Sequence, residues 1–145
     1  NWAVIPKKIW KTAREEAQSK IKEDAKYRIF GSDNNPKVLN HARRHIENAG
    51  LSDIFVQTLD ARELGSRFDR GKIITNPPYG ERLSEQAAVE KLYRDLGNIC
   101  TERFQDWNKY FLTSHQEFED HFNEKARKNR KLYNGGLKCW FYQYF

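Results

Sequence analysis

Several features that identify other classes of protein are scarce in this sequence. It has two cysteines, Cys100 and Cys139, and they form neither a CxxC pair nor a cluster with histidine. Neither a zinc site nor a disulfide is therefore expected, and we interpret both as reduced, buried thiols of a cytoplasmic protein. No apolar run approaches the length of a membrane span. The eight glycines form no GxGxG-like cluster.

What the sequence does contain is charge, with an excess of basic residues. The chain has 145 residues, of which 38% are hydrophobic and 32% are charged, as is typical of one polar globular domain. Lys and Arg number 26 against 20 Asp and Glu, so the formal net charge is +6 and the pI is near 9.3. This balance favours a polyanionic partner such as a nucleic acid.

The spacing of apolar residues predicts helices and strands in alternation. A leading helix is expected within residues 1–26, with Trp10 packed against a sheet. The later predicted elements are, in chain order, strand 27–33, helix 36–49, strand 53–60, strand 72–75, helix 85–104, strand 109–113 and helix 116–122. Such alternation predicts an α/β fold with a mostly parallel sheet. His115 and His121 lie among surface-type residues, and we interpret both as ordinary polar histidines.

The last part of the chain has a different character. Residues 127–133 and 137–145 are predicted to form an antiparallel hairpin at the edge of the sheet. Asn134-Gly135 between them is expected to supply the positive φ of a tight turn. The basic run over residues 125–131 is interpreted either as a contact to phosphates or as a solvated connection.

The stretch with the most specific chemistry is Asn76-Pro77-Pro78-Tyr79, directly after a short apolar strand. The two prolines fix φ and offer carbonyl oxygens without competing N–H donors. The residue before a proline is driven towards extended backbone, which directs Asn76 away from a helix. The Asn76 amide oxygen can accept hydrogen bonds and Tyr79 offers an aromatic face. Acceptors beside a flat surface suit an extruded nucleobase that bears an exocyclic amine.

These residues resemble the fourth motif of S-adenosylmethionine-dependent amino-methyltransferases. The longer string from Asn76 to Leu83, together with Lys131-Leu-Tyr-Asn-Gly135 and Gln143-Tyr144, is similar to bacterial guanine-N2 methyltransferases of large-subunit ribosomal RNA. In that family a THUMP domain precedes the catalytic domain. The resemblance implies a Rossmann-like methyltransferase fold, S-adenosylmethionine as cofactor and RNA as partner. It extends from about residue 27 to residue 145.

Two acids at strand ends are candidates for holding the cofactor. In a nucleoside-binding α/β fold, a carboxylate placed like Asp33 contacts ribose hydroxyls. Asn34, next to Asp33, and Asn76 are further candidates for contacts with the cofactor. Capping of the following helix is the alternative role for Asp33. The resemblance implies that Asp60 accepts from the adenine amino group and that the Ala61 N–H donates to the adjacent ring nitrogen. The alternative role for Asp60 is to cap the short turn that follows it.

The family's first strand and its glycine-rich loop are not found in this sequence. We therefore expect residues 1–145 to be the carboxy-terminal part of a methyltransferase domain, with a leading helix at 1–26 and the Rossmann-like core at 27–145. A THUMP-like RNA-binding region is expected upstream. Whether the chain folds alone is left open by the sequence.

The functional hypothesis is methyl transfer to an exocyclic amine in RNA. Guanine N2 of large-subunit ribosomal RNA is the expected target. Asn76 and the Pro77 carbonyl are expected to accept the amine protons, Pro78 to shape the turn and Tyr79 to stack on the base. No metal is required by this chemistry. A DNA adenine-N6 methyltransferase is the alternative enzyme, because the same turn serves either amine. A catalytically inert, basic nucleic-acid-binding module is the alternative of another class.

Overall fold

The structure, a computed structural model, describes residues 4–22, 28–80 and 82–145. Its elements are α1 (Lys7–Ser19), β1 (Ile29–Asp33), α2 (Pro36–Asn48), β2 (Ile54–Thr58), a 3₁₀ helix (Ala61–Glu63), β3 (Lys72–Thr75), α3 (Leu83–Arg103), β4 (Asn108–Thr113), α4 (Phe118–Phe122), β5 (Lys128–Asn134) and β6 (Leu137–Tyr144). Each helix and strand predicted from the sequence is present, although with shorter bounds in several cases. The predictions for residues 1–3 and 23–27 lie outside the described residues.

The strands form two sheets. β1 and β2 are parallel and form a two-stranded sheet by themselves. The second sheet has the order β3-β4-β6-β5, in which β3 and β4 are parallel and β6 is antiparallel to both of its neighbours. The predicted α/β class, with parallel strands and an antiparallel terminal hairpin, is confirmed.

Aromatic rings fill the space between the four-stranded sheet and the helices α3 and α4. Five of them are no more than 2% exposed: Tyr93, Phe111, Phe118, Phe122 and Tyr144. The ring centroids of Phe111 and Phe122 lie 4.8 Å apart, and those of Tyr93 and Phe118 lie 4.9 Å apart. Ring pairs at such separations contribute beyond the area that they bury. This layer fixes β4 and β6 against α3, and so fixes the end of the sheet from which the Asn76–Tyr79 turn emerges.

Outside that core, large apolar side chains remain exposed. On the two-stranded sheet, Ile29, Phe30 and Phe55 each keep more than half of their surface, and Ile74 on β3 is 73% exposed. In α1 no residue is buried, so the prediction that Trp10 packs against a sheet is wrong. None of the described helices is both long and apolar enough to cross a membrane.

The two sheets are connected through the loop that precedes β3. Trp107 Nε1 donates to the Phe68 carbonyl at 3.1 Å, and the Phe68 ring lies 6.3 Å from that of Phe30 on β1. The Arg103 guanidinium donates to the Leu64 carbonyl at 3.0 Å. These contacts are few compared with the aromatic core. Among the described residues, no strand pairing joins β1 to β3.

The hairpin reverses one residue later than the sequence predicted. Asn134 pairs with Leu137 as part of the β5–β6 ladder, so Gly135 and Gly136 form the two-residue turn. Gly135 has φ +60°, whereas Asn134 is not among the residues with positive φ. A glycine with positive φ at the first turn position suits the twist of a hairpin. Asn134 therefore stays in the strand, and its side chain is available for a contact across the sheet.

Candidate active site

The Asn76–Tyr79 turn leaves the carboxyl end of β3 and is held against α3. Pro77 and Gly80 are buried, whereas Asn76 is exposed. Gly80 has φ +70°, and a Cβ there would lie 3.4 Å from Val89 Cβ on α3. That positive φ favours glycine, because an L side chain would be strained there. The turn thus has one side anchored in the core and its asparagine side chain facing outward.

Within the turn, Tyr79 is bonded to Asn76. The Tyr79 hydroxyl donates to Asn76 Oδ1 at 2.5 Å. Burial is the main cause that raises the pKa of Tyr79 above its usual value, so the phenol remains a neutral donor. This bond orients the amide and uses one lone pair of Oδ1. An amide oxygen has two lone pairs, so Oδ1 can still accept from an incoming amine.

A chain of hydrogen bonds supports the turn from behind. Tyr93 Oη donates to the Pro78 carbonyl at 2.7 Å and lies 3.0 Å from Thr113 Oγ1. The His115 backbone N–H donates to Thr113 Oγ1 at 3.1 Å. Because the single Tyr93 proton is used on Pro78, the Thr113 hydroxyl must donate to Tyr93. The chain therefore has one direction, and Tyr93 and Thr113, both with no measurable exposure, fix the Pro78 peptide.

Burial keeps that chain in one protonation state. Desolvation raises the pKa of Tyr93 to about 12, so its hydroxyl stays a donor throughout the physiological range. No role for Tyr93 or Thr113 was predicted from the sequence. The sequence predicted the helix and the strand that carry these two residues, but it contains no signal that pairs them.

The hairpin also reaches the turn. Asn134 Nδ2 lies 3.4 Å from the Tyr79 hydroxyl, and Cys139 Sγ lies 3.8 Å from it. Asn134 belongs to the Lys131–Gly135 string that supported the family resemblance. No role in the site was predicted for this asparagine from the sequence. The structure places this asparagine beside the turn, so two distant parts of the resemblance meet at one hydroxyl.

Asp33 and Asn34 lie where β1 ends. Asp33 Oδ1 accepts from the Asn35 backbone N–H at 2.7 Å, and Asn35 Oδ1 accepts from Lys37 N at 3.0 Å. Asn35 is therefore the N-cap of α2, and Asp33 stabilises the turn that leads into it. Among the described residues, none donates to the second carboxylate oxygen of Asp33. Asn34 is exposed.

Asp60 lies at the end of β2 and caps the 3₁₀ helix. Its Oδ1 accepts from the Arg62 backbone N–H at 2.9 Å and from Arg62 Nε at 2.8 Å, and its Oδ2 accepts from Arg62 Nη2 at 2.6 Å. This two-pronged pair with Arg62 lowers the pKa of Asp60 to about 2. Within the described ranges, the Ala61 N–H has no acceptor. The capping role is thus observed, and a free N–H lies next to it.

A second group of polar side chains lies under the turn, between α3 and α4. Ligand atoms of Glu90, His115 and His121 lie within 4.8 Å of one another. Arg94 Nη1 lies 3.2 Å from His121 Nδ1, and a guanidinium can only donate. His121 Nδ1 is therefore an acceptor, and the neutral ring carries its proton on Nε2. That tautomer does not favour a metal ligand at Nε2.

These two histidines are not surface residues. Both are half-buried, because the His115 ring packs 5.4 Å from the Tyr93 ring and 5.4 Å from the His121 ring. The expectation that they lie at the surface is therefore wrong, whereas their interpretation as ordinary polar histidines stays a prediction. Desolvation, and then the neighbouring His121, lower the pKa of His115 below its usual value.

Curated proteins similar to this chain are larger than it. It is 38% identical to YpsC of Bacillus subtilis over 146 residues, which covers all of this chain and 38% of YpsC. It is 34% identical to the ribosomal RNA large subunit methyltransferase K/L of Shewanella frigidimarina, covering 97% of this chain and 20% of that protein. The chain thus spans well under half the length of these relatives.

Solved structures share the fold over nearly the whole chain. A possible methylase from Clostridium difficile 630 is 41% identical with a TM-score of 0.86, covering 99% of this chain and 38% of that one. SMU.472, solved with S-adenosylhomocysteine (SAH), is 32% identical with a TM-score of 0.87 and the same coverage. A predicted N6-adenine-specific DNA methylase from Listeria monocytogenes is 35% identical with a TM-score of 0.82, covering 99% of this chain and 37% of that one.

The match to a family model agrees with these similarities. The model is described as RMKL-like, methyltransferase domain, and it matches residues 2–143. These solved relatives share the fold of this chain over nearly its whole length. This chain belongs to the RMKL-like methyltransferase domain family.

Proposed function

We propose that this chain is part of an enzyme that transfers a methyl group from S-adenosylmethionine to an exocyclic amine of RNA, guanine N2 of large-subunit ribosomal RNA. The observation that carries the proposal is the Asn76–Tyr79 turn, supported from three elements, in a chain of the methyltransferase family. The THUMP-like region and glycine-rich loop expected upstream belong to the same proposal. So does a cytoplasmic location, where such an RNA is found.

The residues of the turn divide the chemistry between them. When bound, S-adenosylmethionine supplies a methyl group on a sulfonium sulfur that an amine nitrogen can attack in line. Asn76 Oδ1 and the Pro77 carbonyl accept hydrogen bonds from the two N–H groups of the amine. These bonds direct the nitrogen lone pair towards that methyl. Tyr79 orients Asn76 through its hydroxyl and offers its ring to the base. Positioning of this kind supplies a large part of the rate in reactions without a covalent intermediate.

The ends of β1 and β2 suit the nucleoside part of the cofactor. Asp33 keeps one carboxylate oxygen for ribose hydroxyls while the other holds the α2 turn. The Ala61 N–H is available for a ring nitrogen, and Asp60 is a permanent anion beside it. Asn34, exposed next to Asp33, is close enough in sequence to contribute to the same contact. SMU.472, a structural relative, was solved with SAH, which supports this choice of cofactor.

RNA is favoured as substrate by two observations. A relative that covers 97% of this chain is named as a ribosomal RNA large subunit methyltransferase. The chain itself has a net charge of +6, which suits a polyanion. The alternative, adenine N6 of DNA, is supported by the Listeria structure, because Asn76 and Pro77 accept from either amine.

The test uses the complete gene product with S-adenosylmethionine labelled on its methyl group. It is offered unmethylated large-subunit ribosomal RNA and, separately, duplex DNA, and the digested nucleosides are identified by mass spectrometry. N2-methylguanosine is the expected product. N6-methyladenine in DNA would move the assignment to the alternative enzyme. Nucleic-acid binding without methyl transfer to either would identify an inert binding module.

A further inference from the structure

The excess positive charge of this protein is concentrated at its carboxyl end. Residues 125–145 contain six Lys and Arg and no Asp or Glu. Since the whole chain has 26 basic and 20 acidic side chains, residues 1–124 hold 20 of each and are formally neutral. The net charge of +6 is therefore the charge of the terminal hairpin and the short segment before it.

On one face of the hairpin, cations and aromatic rings alternate. The β5–β6 register sets Lys131 opposite Trp140 and Tyr133 opposite Lys138. Each ammonium lies over a ring of its own strand: Lys131 Nζ is 5.4 Å from the Tyr133 centroid, and Lys138 Nζ is 4.6 Å from the Trp140 centroid. We call these four residues the hairpin platform. Cation–π contacts hold the two ammonium groups in place without neutralising them.

Three of the four platform residues are exposed, whereas Trp140 is half-buried against the core. The two platform charges are uncompensated. Tyr133 is 64% exposed, and every residue of β5 is exposed. Among the described residues, no carboxylate forms an ion pair with Lys131 or Lys138, although Lys125 pairs with Asp120 just before the strand. An exposed ring between free cations matches a nucleotide chain, because bases stack on the ring while phosphates meet the cations.

The position of the platform connects it to the candidate active site. β5 runs parallel to β4, since both are antiparallel to β6, so β5 ends at the same edge of the sheet as the Asn76–Tyr79 turn. Asn134, the residue after Tyr133, contacts the Tyr79 hydroxyl. Consecutive strand residues point to opposite faces, so the platform lies across the hairpin tip from Tyr79. The space around Gly135 and Gly136 is open, since no neighbouring atom lies within 4 Å of a Cβ placed at either residue. A nucleic-acid strand can therefore cross the hairpin there.

We propose that the hairpin platform binds a single-stranded segment of the RNA substrate next to the methylated nucleotide. Lys131 and Lys138 contact phosphates, and the Tyr133 ring stacks on a flanking base. The segment crosses the Gly135-Gly136 turn and delivers the target base to Asn76. The inference rests on the proposed function and names the surface of this chain that holds the substrate.

The test compares platform variants with a control on the same strand. In the complete gene product, Lys131→Ala and Lys138→Ala each remove one platform charge. Lys128→Ala removes the same charge from the far end of β5, on the opposite face. Binding of a fluorescein-labelled single-stranded oligouridylate is measured over a range of salt concentrations. Each platform variant should lower the slope of log Kd against log salt by about 0.7, and Lys128→Ala should leave it unchanged.

The stacking contact is tested with Tyr133. Tyr133→Ala should weaken oligouridylate binding roughly tenfold, and Tyr133→Phe should retain wild-type binding because the ring is kept. With ribosomal RNA, Tyr133→Ala should raise KM for RNA and leave KM for S-adenosylmethionine unchanged. Circular dichroism of all variants checks that these exposed substitutions preserve the fold.

Equal RNA affinity and salt slope in the platform variants and in Lys128→Ala would overturn the inference, even in an active enzyme. So would weaker binding of S-adenosylmethionine alone by Tyr133→Ala, since that would make the ring part of the cofactor site. Failure of the wild-type enzyme to methylate any RNA would refute the proposed function instead. The oligouridylate measurements would still decide whether the platform binds nucleic acid.

Discussion

At the scale of single residues, the reacting end of the site depends on one amide oxygen and its partner. Asn76 is exposed, yet the 2.5 Å bond from Tyr79 holds its side chain in one orientation. A preorganised acceptor needs little reorganisation when the substrate amine arrives. Tyr79 is itself contacted by Asn134 and Cys139 from the hairpin, so the orientation of Asn76 is determined by residues far along the chain.

Replacing Asn76 tests this role directly. Asn76→Ala in the complete gene product should reduce methyl transfer about 10²-fold or more, as for other preorganised polar groups in active sites. Binding of S-adenosylmethionine, measured by calorimetry, should change much less. Asn98→Ala, at an exposed position of α3, is the control and should behave as wild type. Near-wild-type turnover by Asn76→Ala would remove this residue from the mechanism.

Tyr93 is expected to act through the turn rather than on the substrate. Tyr93→Phe leaves the Pro78 carbonyl and the Thr113 hydroxyl without their buried partner, which should cost about 1–3 kcal/mol in the free energy of unfolding. It should also lower kcat with little change in KM for the cofactor. Tyr110→Phe is the matched control, since the Tyr110 ring stacks on Phe141 and its hydroxyl has no partner among the described residues. If both variants lower kcat equally, the hydrogen-bond chain does not position the turn.

His115 should make stability depend on pH. Burial lowers its pKa in the folded state, whereas the unfolded chain takes up that proton near pH 6.5. The unfolded state then binds more protons, so the free energy of unfolding should fall as pH falls below about 6.5. Glu90 and Glu117 partly oppose this effect, and His121 and Arg94 lie on the same cluster.

Denaturant unfolding at pH 7.5 and pH 5.5 measures this dependence. His115→Asn should reduce the difference between the two conditions. His41→Asn, on the exposed surface of α2, should leave it unchanged. An identical pH dependence in wild type and His115→Asn would show that other groups cause it.

At the scale of elements, the contact between α3 and α4 depends on a glycine. A Cβ at Gly97 would lie 2.1 Å from the Phe122 carbonyl oxygen at the end of α4. Gly97 therefore allows the two helices to approach as closely as the aromatic layer requires. Because α3 carries Tyr93, this contact also bears on the support of the Asn76–Tyr79 turn.

Gly97→Ala should destabilise the fold by about 1–3 kcal/mol, as is usual for overpacking. Thermal unfolding of the variant measures the loss. Gly65→Ala is the control, because nothing lies within 4 Å of its Cβ position and its φ is not positive; it should be neutral or slightly stabilising. Equal unfolding temperatures for the two variants would mean that α4 moves away without cost.

At the scale of the whole molecule, the two halves of the site lie on separate sheets. Asp33 and Asp60 follow β1 and β2, whereas the Asn76–Tyr79 turn follows β3 in the four-stranded sheet. Phe30 and Phe55 on the small sheet are more than half exposed. The cofactor would be held by one sheet and the base by the other. The alignment of the methyl group with the amine therefore depends on how rigidly the two sheets are held relative to each other.

We therefore expect residues 1–145 alone to bind S-adenosylmethionine weakly and to methylate nothing. A misplacement of about 1 Å between reacting groups can cost 10²-fold in rate. The test is to incubate the chain with labelled cofactor and ribosomal RNA, beside the complete gene product as control. Incorporation equal to that of the control would show that the 145 residues align the site without help. Activity of the control alone would support the prediction.

Much of this molecule was predictable from local sequence. The apolar periods predicted the described α-helices and strands, because burial of one face leaves a repeat of 3.6 or 2 residues. The start of α2 at Asn35-Pro36 follows from the hydrogen-bonding capacity of Asn35, and its termination shortly before Gly50 follows from the positive φ that glycine adopts easily. The Asn-Pro-Pro-Tyr turn follows likewise from the fixed φ of proline.

The tertiary structure decided which residues support that turn. Tyr93 bonds to Pro78 from 15 residues away, and Asn134 and Cys139 approach Tyr79 from 55 and 60 residues away. These contacts depend on strand register and on where the hairpin reverses. The reversal at Gly135-Gly136, one residue beyond the predicted position, places Asn134 in the strand. A shift of one residue exchanges the two faces of a strand, so register, which local sequence does not specify, determined which side chains meet at the site.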